Sequence, residues 1–376
     1  MLRISFPAKS KHAQPVPTQV EVDSTPLTLP LLASTAGIAS LLLLIAITSG
    51  FSAIDAQSDR GYWHAMSDSS NDDQAYVMGK VLSGAAAKAD VIVLGTSSAR
   101  EALLTDSEFS SQLRRQNASQ TSVVNLASSA QSPIESLLIS EAIAPREGQQ
   151  FVLFISHSVF QQARPFNAIE QGGFMYPPEF LVRKYAQRGI FPSYWNDERK
   201  RFVYRARAKR QELYRHLNYR LKYWIAEQVY GEPRPNYLPY LYVGLPPLDP
   251  SYKERNIKAY ESDFREHFAS NLTYVTKTLG VLADYLAERK CRLVIALAPE
   301  EKNEMRELFP NEFRIFSEML QAAQATHKFE ILNLNSNIAW EVGDFRDFAH
   351  VNESGRIKWS NALANWLSQQ AAVTTR

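Results

Sequence analysis

Cysteine is almost missing from this chain. Among 376 residues only Cys291 is present, so no disulfide can close within it, and its position at the edge of an apolar run reads as a buried, inert thiol. Also missing are a Gly-rich phosphate loop, any internal repeat, and any group of His, Cys and carboxylate residues at metal-ligand spacing. These absences argue against a metal or nucleotide enzyme, and no cofactor is expected. Neither sign of charge dominates, since the net charge is +2, and the balance alone selects no partner. The length and a hydrophobic content of 45% allow one large domain with an accessory region.

Charge is absent locally as well. From Ser24 to Ile54 there is no Asp, Glu, Lys or Arg, and Leu27 to Phe51 is dense in Leu, Ile and Ala. A membrane-spanning helix needs ~20 such residues, whereas the apolar core of a cleaved signal peptide is usually ~7–15. Length favours an uncleaved anchor over 27–51. The segment 1–26 before it, with Arg3, Lys9 and Lys11, reads as disordered and cytoplasmic. Asp55 and Asp59 follow the span, so the positive-inside rule places the C-terminal bulk in the periplasm or on the extracellular side. Nucleic acid is not expected as a partner there. Residues 52–74 read as a juxtamembrane linker and 75–376 as the domain.

What the domain does contain is a buried-strand signature followed by small hydroxylated residues. In Ala89 to Arg100, ADVIVLGTSSAR, the apolar run Val91 to Leu94 is ended by Gly95 and then by Thr96, Ser97 and Ser98. That pattern is a strand turning tightly into a helix. Ligands of open parallel sheets bind beyond the carboxyl ends of the strands. Ser97 is the candidate nucleophile, with a plain helix cap as its other reading. Ser98 is the alternative nucleophile and otherwise the cap.

A serine needs a base, and a histidine base needs a carboxylate to fix its tautomer. Both stand in Asp344 to Gly355, DFRDFAHVNESG, as Asp347 and His350. Separately, each would pass for an ordinary loop residue. Together, Gly95-Thr96-Ser97 and Asp347-x-x-His350 resemble the first and last blocks of the SGNH (GDSL-type) hydrolase superfamily, over roughly Ala89 to Ser368. The chain is most similar to the membrane-anchored acyl-transfer branch, whose members handle D-alanyl groups of lipoteichoic acid or O-acetyl groups of exported exopolysaccharides. The resemblance implies a Ser97-His350-Asp347 triad and a serine acyltransferase or esterase acting on an anionic or neutral cell-envelope glycan. It also implies a multi-pass membrane acyltransferase as partner.

The middle blocks depart from the superfamily. Val123 to Ala127 is similar to the second block, but Ala127-Ser128-Ser129 stands where an oxyanion-hole glycine is usual. The third strand ends in Ser156-His157 without the usual Gly-x-Asn. Ala127, Ser128, Asn125, Ser156, His157 and Arg100 are therefore candidates for oxyanion or pocket contacts. Asn125 reads equally as a turn-holding asparagine, His157 as a surface residue, and Arg100 as the partner of a nearby carboxylate. A non-catalytic protein of this fold, binding polymer or scaffolding an export complex, is the other class that fits these departures.

Apolar strands at Val91 to Leu94, Val123 to Leu126, Phe151 to Ile155, Arg292 to Leu297 and Glu330 to Leu334 alternate with helical stretches. Helices are expected from Ala75 to Lys88, after Arg100, from Ser132-Pro133 through Ile143, from Tyr252 to Arg289, from Met305 to Ala325 and from Ile357 to Leu367. The expected fold is α/β, a three-layer α/β/α domain with a five-stranded parallel sheet. An insertion over 161–256 interrupts it. Its first part is an aromatic loop with Phe166, Phe174, Met175, Tyr176 and Phe180, and Tyr237 to Pro250 reads as ordered loop. Between Arg183 and Lys222 Lys and Arg far outnumber the acidic Asp197, Glu198 and Glu212. A solvated helical face explains such a run, and so does a surface for anionic lipid or polymer, with Arg205, Arg207, Lys209 and Arg210 at its centre.

Overall fold

The computed structural model describes residues 37–43, 72–117, 121–160, 182, 184–191, 197, 199, 244–301 and 308–374. The chain divides into a unit ending at Gly50 and a second from Phe51 onward. In the first, a short helix over 37–43 exposes Ile38, Leu41, Leu42 and Leu43. No described helix is long and apolar enough to cross a membrane, and most of the expected span over 27–51 lies outside the described residues. The segment 1–26 expected to be disordered, the expected linker up to residue 71 and the basic cluster Arg205, Arg207, Lys209 and Arg210 lie outside them as well.

The second unit is built on five parallel strands, β1 (Val91–Gly95), β2 (Val123–Asn125), β3 (Gln150–Ile155), β4 (Arg292–Leu297) and β5 (Glu330–Leu332), in the order β2-β1-β3-β4-β5. The class is α/β, as the alternating pattern implies. Both faces of the sheet are covered, which is why its strands read as continuous apolar runs. Ile92, Leu94, Phe151 and Ile295 point to one core, and Val93, Val152, Phe154 and Ala296 to the other. Val93 lies opposite Asn125 on one side and Val152 on the other, so β1 is an interior strand.

The helices are α1 (Asp72–Leu82), α2 (Ala85–Lys88), α3 (Ser97–Ala102), α4 (Asp106–Asn117), α5 (Pro133–Ile143), α6 (Pro250–Glu288), α7 (Pro310–Thr326) and α8 (Glu353–Thr374). Several bounds differ from the sequence pattern for local reasons. The single helix expected from Ala75 to Lys88 is broken at Gly84, whose φ of 74° lies in the left-handed region that a glycine enters without penalty. The helix expected after Arg100 begins at Ser97. The one expected from Met305 begins at Pro310, and 302–307 lie outside the described residues. α6 starts within the 161–256 stretch, because Asp249 caps it through a 2.9 Å bond from the Ser251 amide and Pro250 takes the first turn. α5 opens on a capping box in which the Ser132 hydroxyl and the Glu135 carboxylate each accept the other residue's backbone N–H.

Two packing arrangements position the site. On one face, fully buried Trp359 of α8 packs against Phe154 of β3 at 5.8 Å and Trp340 at 6.2 Å. This fixes α8, and with it the loop that precedes it. On the other face an aromatic cluster runs from Phe160, after β3, through Phe264 and Tyr260 of α6 to Phe348, whose ring meets Tyr260 edge-on at 5.1 Å. Phe348 lies between Asp347 and His350, so the long helix α6 buttresses their loop directly.

Candidate active site

Ser97 stands just past the end of β1, an interior strand of the sheet. Parallel sheets open a crevice where the strand order reverses, here between β1 and β3, at the carboxyl edge. The turn into α3 passes through Gly95, at φ 136°, where a Cβ would come 2.7 Å from the Phe154 carbonyl oxygen. Only glycine lets β1 approach β3 this closely while turning. Thr96 takes the N-cap position in extended backbone and makes no side-chain cap bond. This corrects the assignment of the cap to Ser98, which sits inside α3 and is buried to 2%. Ser97 is the more open of the two serines.

The Ser97 Oγ lies 2.8 Å from His350 Nε2, across 253 residues of sequence. His350 Nδ1 in turn lies 2.9 Å from Asp347 Oδ2 and 3.0 Å from Oδ1. A carboxylate only accepts, so Nδ1 carries the proton and Nε2 is left to accept from the Ser97 hydroxyl. Asp347 Oδ1 also accepts 2.8 Å bonds from the amides of Ala349 and His350, an Asx-type turn that fixes the carboxylate under the ring. Burial is the largest influence on Asp347 and opposes its charge. The hydrogen bond and attraction from His350 together with the two amides outweigh it, holding the carboxyl below its usual range. The three groups form one connected line from hydroxyl to imidazole to carboxylate.

The loop that carries His350 is closed on itself. Phe345 and Val351 form an antiparallel bridge, and the Arg346 amide donates to the His350 carbonyl at 2.8 Å. Asp344 beneath them accepts from the Glu341 amide, the Ser354 hydroxyl and the Lys358 ammonium at 2.7 to 2.8 Å. A Cβ on Gly355 would overlap the Asp344 carbonyl oxygen and come within 2.9 Å of Val351 Cβ. The glycine therefore lets α8 begin flush against the loop.

The remaining candidates are placed differently. The Ala127 amide donates to Asn125 Oδ1 at 3.1 Å and the Ser128 amide to the Gly95 carbonyl at 3.0 Å, so both are engaged within the fold. Asn125 is buried to 1% and holds its own turn. Ser156 is buried to 2%, with its carbonyl engaged by the Val159 amide. His157 opens a 3₁₀ turn, His157–Phe160, and its side chain lies outside the described part. Arg100 corrects its reading as a pocket residue. It is fully buried, paired with equally buried Glu101 at 3.0 Å, and it donates to Ser129 Oγ at 2.9 Å. A group with no accessible surface meets no substrate.

In α3 the amides of Ala99 and Arg100 both donate to the Thr96 carbonyl. Those of Ser97 and Ser98 precede the first intrahelical bonds of α3. Two further residues belong to the site's frame, Ser129 beside the second block and Gln131, which carries no sequence signal. Ser129 receives Arg100, and Gln131, buried to 2%, accepts from the Gly95 amide at 2.9 Å. A cavity of about 360 Å³ lies on the Asp347 side, lined in part by Leu248, Pro250, Lys253, Ile257 and Phe345. Neither Ser97 nor His350 lines it. No group of His, Cys, Asp and Glu among the described residues could hold a metal ion. No protein-family model matches the chain, and no curated protein matches it.

Proposed function

We propose that the chain is a serine acyltransferase or esterase of the SGNH type, acting outside the cytoplasm on a bacterial cell-envelope glycan or glycopolymer. The observation that carries this reading is the unbroken line from Ser97 Oγ to His350 Nε2 at 2.8 Å and from His350 Nδ1 to Asp347 at 2.9 Å. Ser97 attacks the ester carbonyl carbon while its proton passes to His350 Nε2. Asp347 stabilises the imidazolium that forms. As the tetrahedral adduct collapses, His350 returns the proton to the departing oxygen, and an acyl-Ser97 ester remains. A glycan hydroxyl or water then attacks that ester, with His350 again as base. The amides of Ser97 and Ser98, at the start of α3, hold the oxyanion.

The rest of the reading is supported by sequence. The uncharged stretch Leu27 to Phe51, with basic residues before it and acidic ones after it, supports a single-pass anchor with the domain outside. The basic run around Arg205, Arg207, Lys209 and Arg210 supports contact with an anionic polymer or membrane surface. Transfer rather than hydrolysis, and a multi-pass membrane acyltransferase as partner, rest on the resemblance to the anchored branch.

One observation favours a second reading, a non-catalytic envelope protein that keeps the fold to bind polymer or scaffold a complex. The Ala127 and Ser128 amides, which stand where the superfamily supplies an oxyanion donor, are engaged elsewhere. Treating the full chain with a fluorophosphonate and locating the adduct separates the two. An adduct on Ser97 that is lost in Ser97→Ala supports the enzyme. No adduct, together with no hydrolysis of several acyl esters, supports the scaffold.

A further inference from the structure

We propose that Gln131 is a positioning residue that sets Ser97 against His350. The proposal rests on the catalytic reading for its kinetic consequence and on geometry alone for its structural one. Gln131 lies in the loop between β2 and α5, away from the triad in sequence, and is buried to 2%. Its Oε1 accepts from the Gly95 amide at 2.9 Å and from Ser136 Oγ at 2.9 Å. Its Nε2 donates to the Leu126 carbonyl at 2.9 Å and to Ser128 Oγ at 3.0 Å. Both acceptor positions and both donor positions of the amide are thus used. The orientation of the amide is fixed as well, because a backbone N–H must meet the oxygen and a backbone carbonyl the nitrogen.

Gly95 is the residue this amide holds. It lies two before Ser97 at φ 136°, where the absence of a Cβ leaves the backbone free to rotate. Both of its peptide groups are tied to the second loop, the N–H by Gln131 and the carbonyl by the Ser128 amide at 3.0 Å. Beyond Ser97, Arg100 donates to Ser129 of the same loop at 2.9 Å. The nucleophile is therefore bracketed before and after by one loop, and Gln131 is the side chain that ties that loop to the preceding strand end. Without it the glycine turn relaxes and the 2.8 Å contact between Ser97 and His350 lengthens.

Gln131→Met keeps the length of the side chain and removes all four bonds. The full chain carrying it is compared with wild type and with Ser140→Ala, a buried change in α5 that removes a bond to the Ser136 carbonyl and touches nothing at Gly95. The readouts are kcat and KM for a small ester and the ¹⁵N resonance of His350 Nε2, all taken where circular dichroism shows a folded chain. The expected result is a kcat lower by about 10²-fold, the scale of an ångström-level misplacement, with KM within about twofold. The His350 resonance should move as the bond from Ser97 is lost, and Ser140→Ala should change neither. A folded Gln131→Met with wild-type kcat and an unmoved resonance overturns the proposal. Should that variant fail to fold, Ser136→Ala removes one bond to Oε1 and should lower kcat by about fivefold, the scale of one neutral hydrogen bond; wild-type kcat there overturns the proposal equally. If the wild type hydrolyses no ester and forms no fluorophosphonate adduct on Ser97, the catalytic reading falls, and the resonance still decides whether Gln131 places Ser97.

Discussion

Asp347→Asn tests the proposed chemistry at its most discriminating point, because it changes a protonation pattern and almost no volume. In the native loop Asp347 Oδ1 accepts from the amides of Ala349 and His350, each at 2.8 Å. An asparagine can keep its carbonyl oxygen in that place. Its NH₂ group then replaces Oδ2, the atom 2.9 Å from His350 Nδ1. Two donors cannot face each other, so Nδ1 must give up its proton and Nε2 must carry it. The ring then presents N–H to Ser97 Oγ across the 2.8 Å contact and can no longer take the serine proton. Loss of the base tautomer in such a triad lowers kcat by about 10⁴-fold, equivalent to about 5.4 kcal/mol of barrier. The two loop bonds change from charged to neutral acceptors, which costs about 1 kcal/mol of stability. The assay is turnover of a small ester, with thermal unfolding measured alongside. A folded Asp347→Asn within tenfold of wild-type kcat refutes the reasoning, because the base tautomer of His350 would then not depend on the Asp347 carboxylate.

Other consequences follow from the same loop and from the chain's polarity. Asp347 titrates in the folded state below its ordinary value of 3.8, so the unfolded chain takes up that proton first as pH falls. Its contribution to stability is therefore complete above pH 3.8 and lost as pH falls through the depressed folded value. The difference in thermal midpoint between wild type and Asp347→Asn should shrink as pH falls through that window; a difference that persists undiminished below it contradicts this. Gly355→Ala gains helix propensity, but its Cβ meets the Asp344 carbonyl and Val351, so a net loss of about 1–3 kcal/mol is expected together with reduced turnover. Unchanged stability and activity would show that the loop yields freely. A phosphatase fused after Arg376 should be active if the domain lies outside the cytoplasm, and an inactive fusion with a bright cytoplasmic reporter would remove the envelope substrate.

Much of the fold was legible because burial on both faces of a parallel sheet leaves a plain trace. Val91 to Leu94 and Leu293 to Leu297 are apolar without alternation, and both lie in interior strands. Helix ends were less legible where one residue decides them. Gly84 breaks what periodicity reads as a single helix, and its left-handed φ is a property of the turn rather than of composition. Asp249-Pro250-Ser251 is a recognisable start signal for α6, but it lies inside a Pro- and Tyr-rich stretch that reads as loop. Propensity summed over a window misses such a start when the cap and the first turn belong to different compositional neighbourhoods.

The candidate site divides along a physical line. Ser97, His350 and Asp347 were legible because the chemistry they would perform requires those side chains, and a parallel sheet brings the ends of its strands to one edge. The frame around them was not, because a backbone N–H carries no side-chain identity. Nothing in the letters of Ala127 and Ser128 says whether their amides face a crevice or, as here, Asn125 Oδ1 and the Gly95 carbonyl. The same holds for Arg100, whose burial against Glu101 and Ser129 depends on how α3 seats on the second loop. A loop that spends its amides and its glutamine in holding the glycine turn has fewer of them to offer a substrate. Under the proposed chemistry, oxyanion stabilisation would fall to the start of α3, where the amides of Ser97 and Ser98 move with the proposed nucleophile itself. Whatever places Ser97 against His350 would then also place those donors, so in the proposed enzyme rigidity of the Gly95 turn would govern proton transfer and oxyanion binding together.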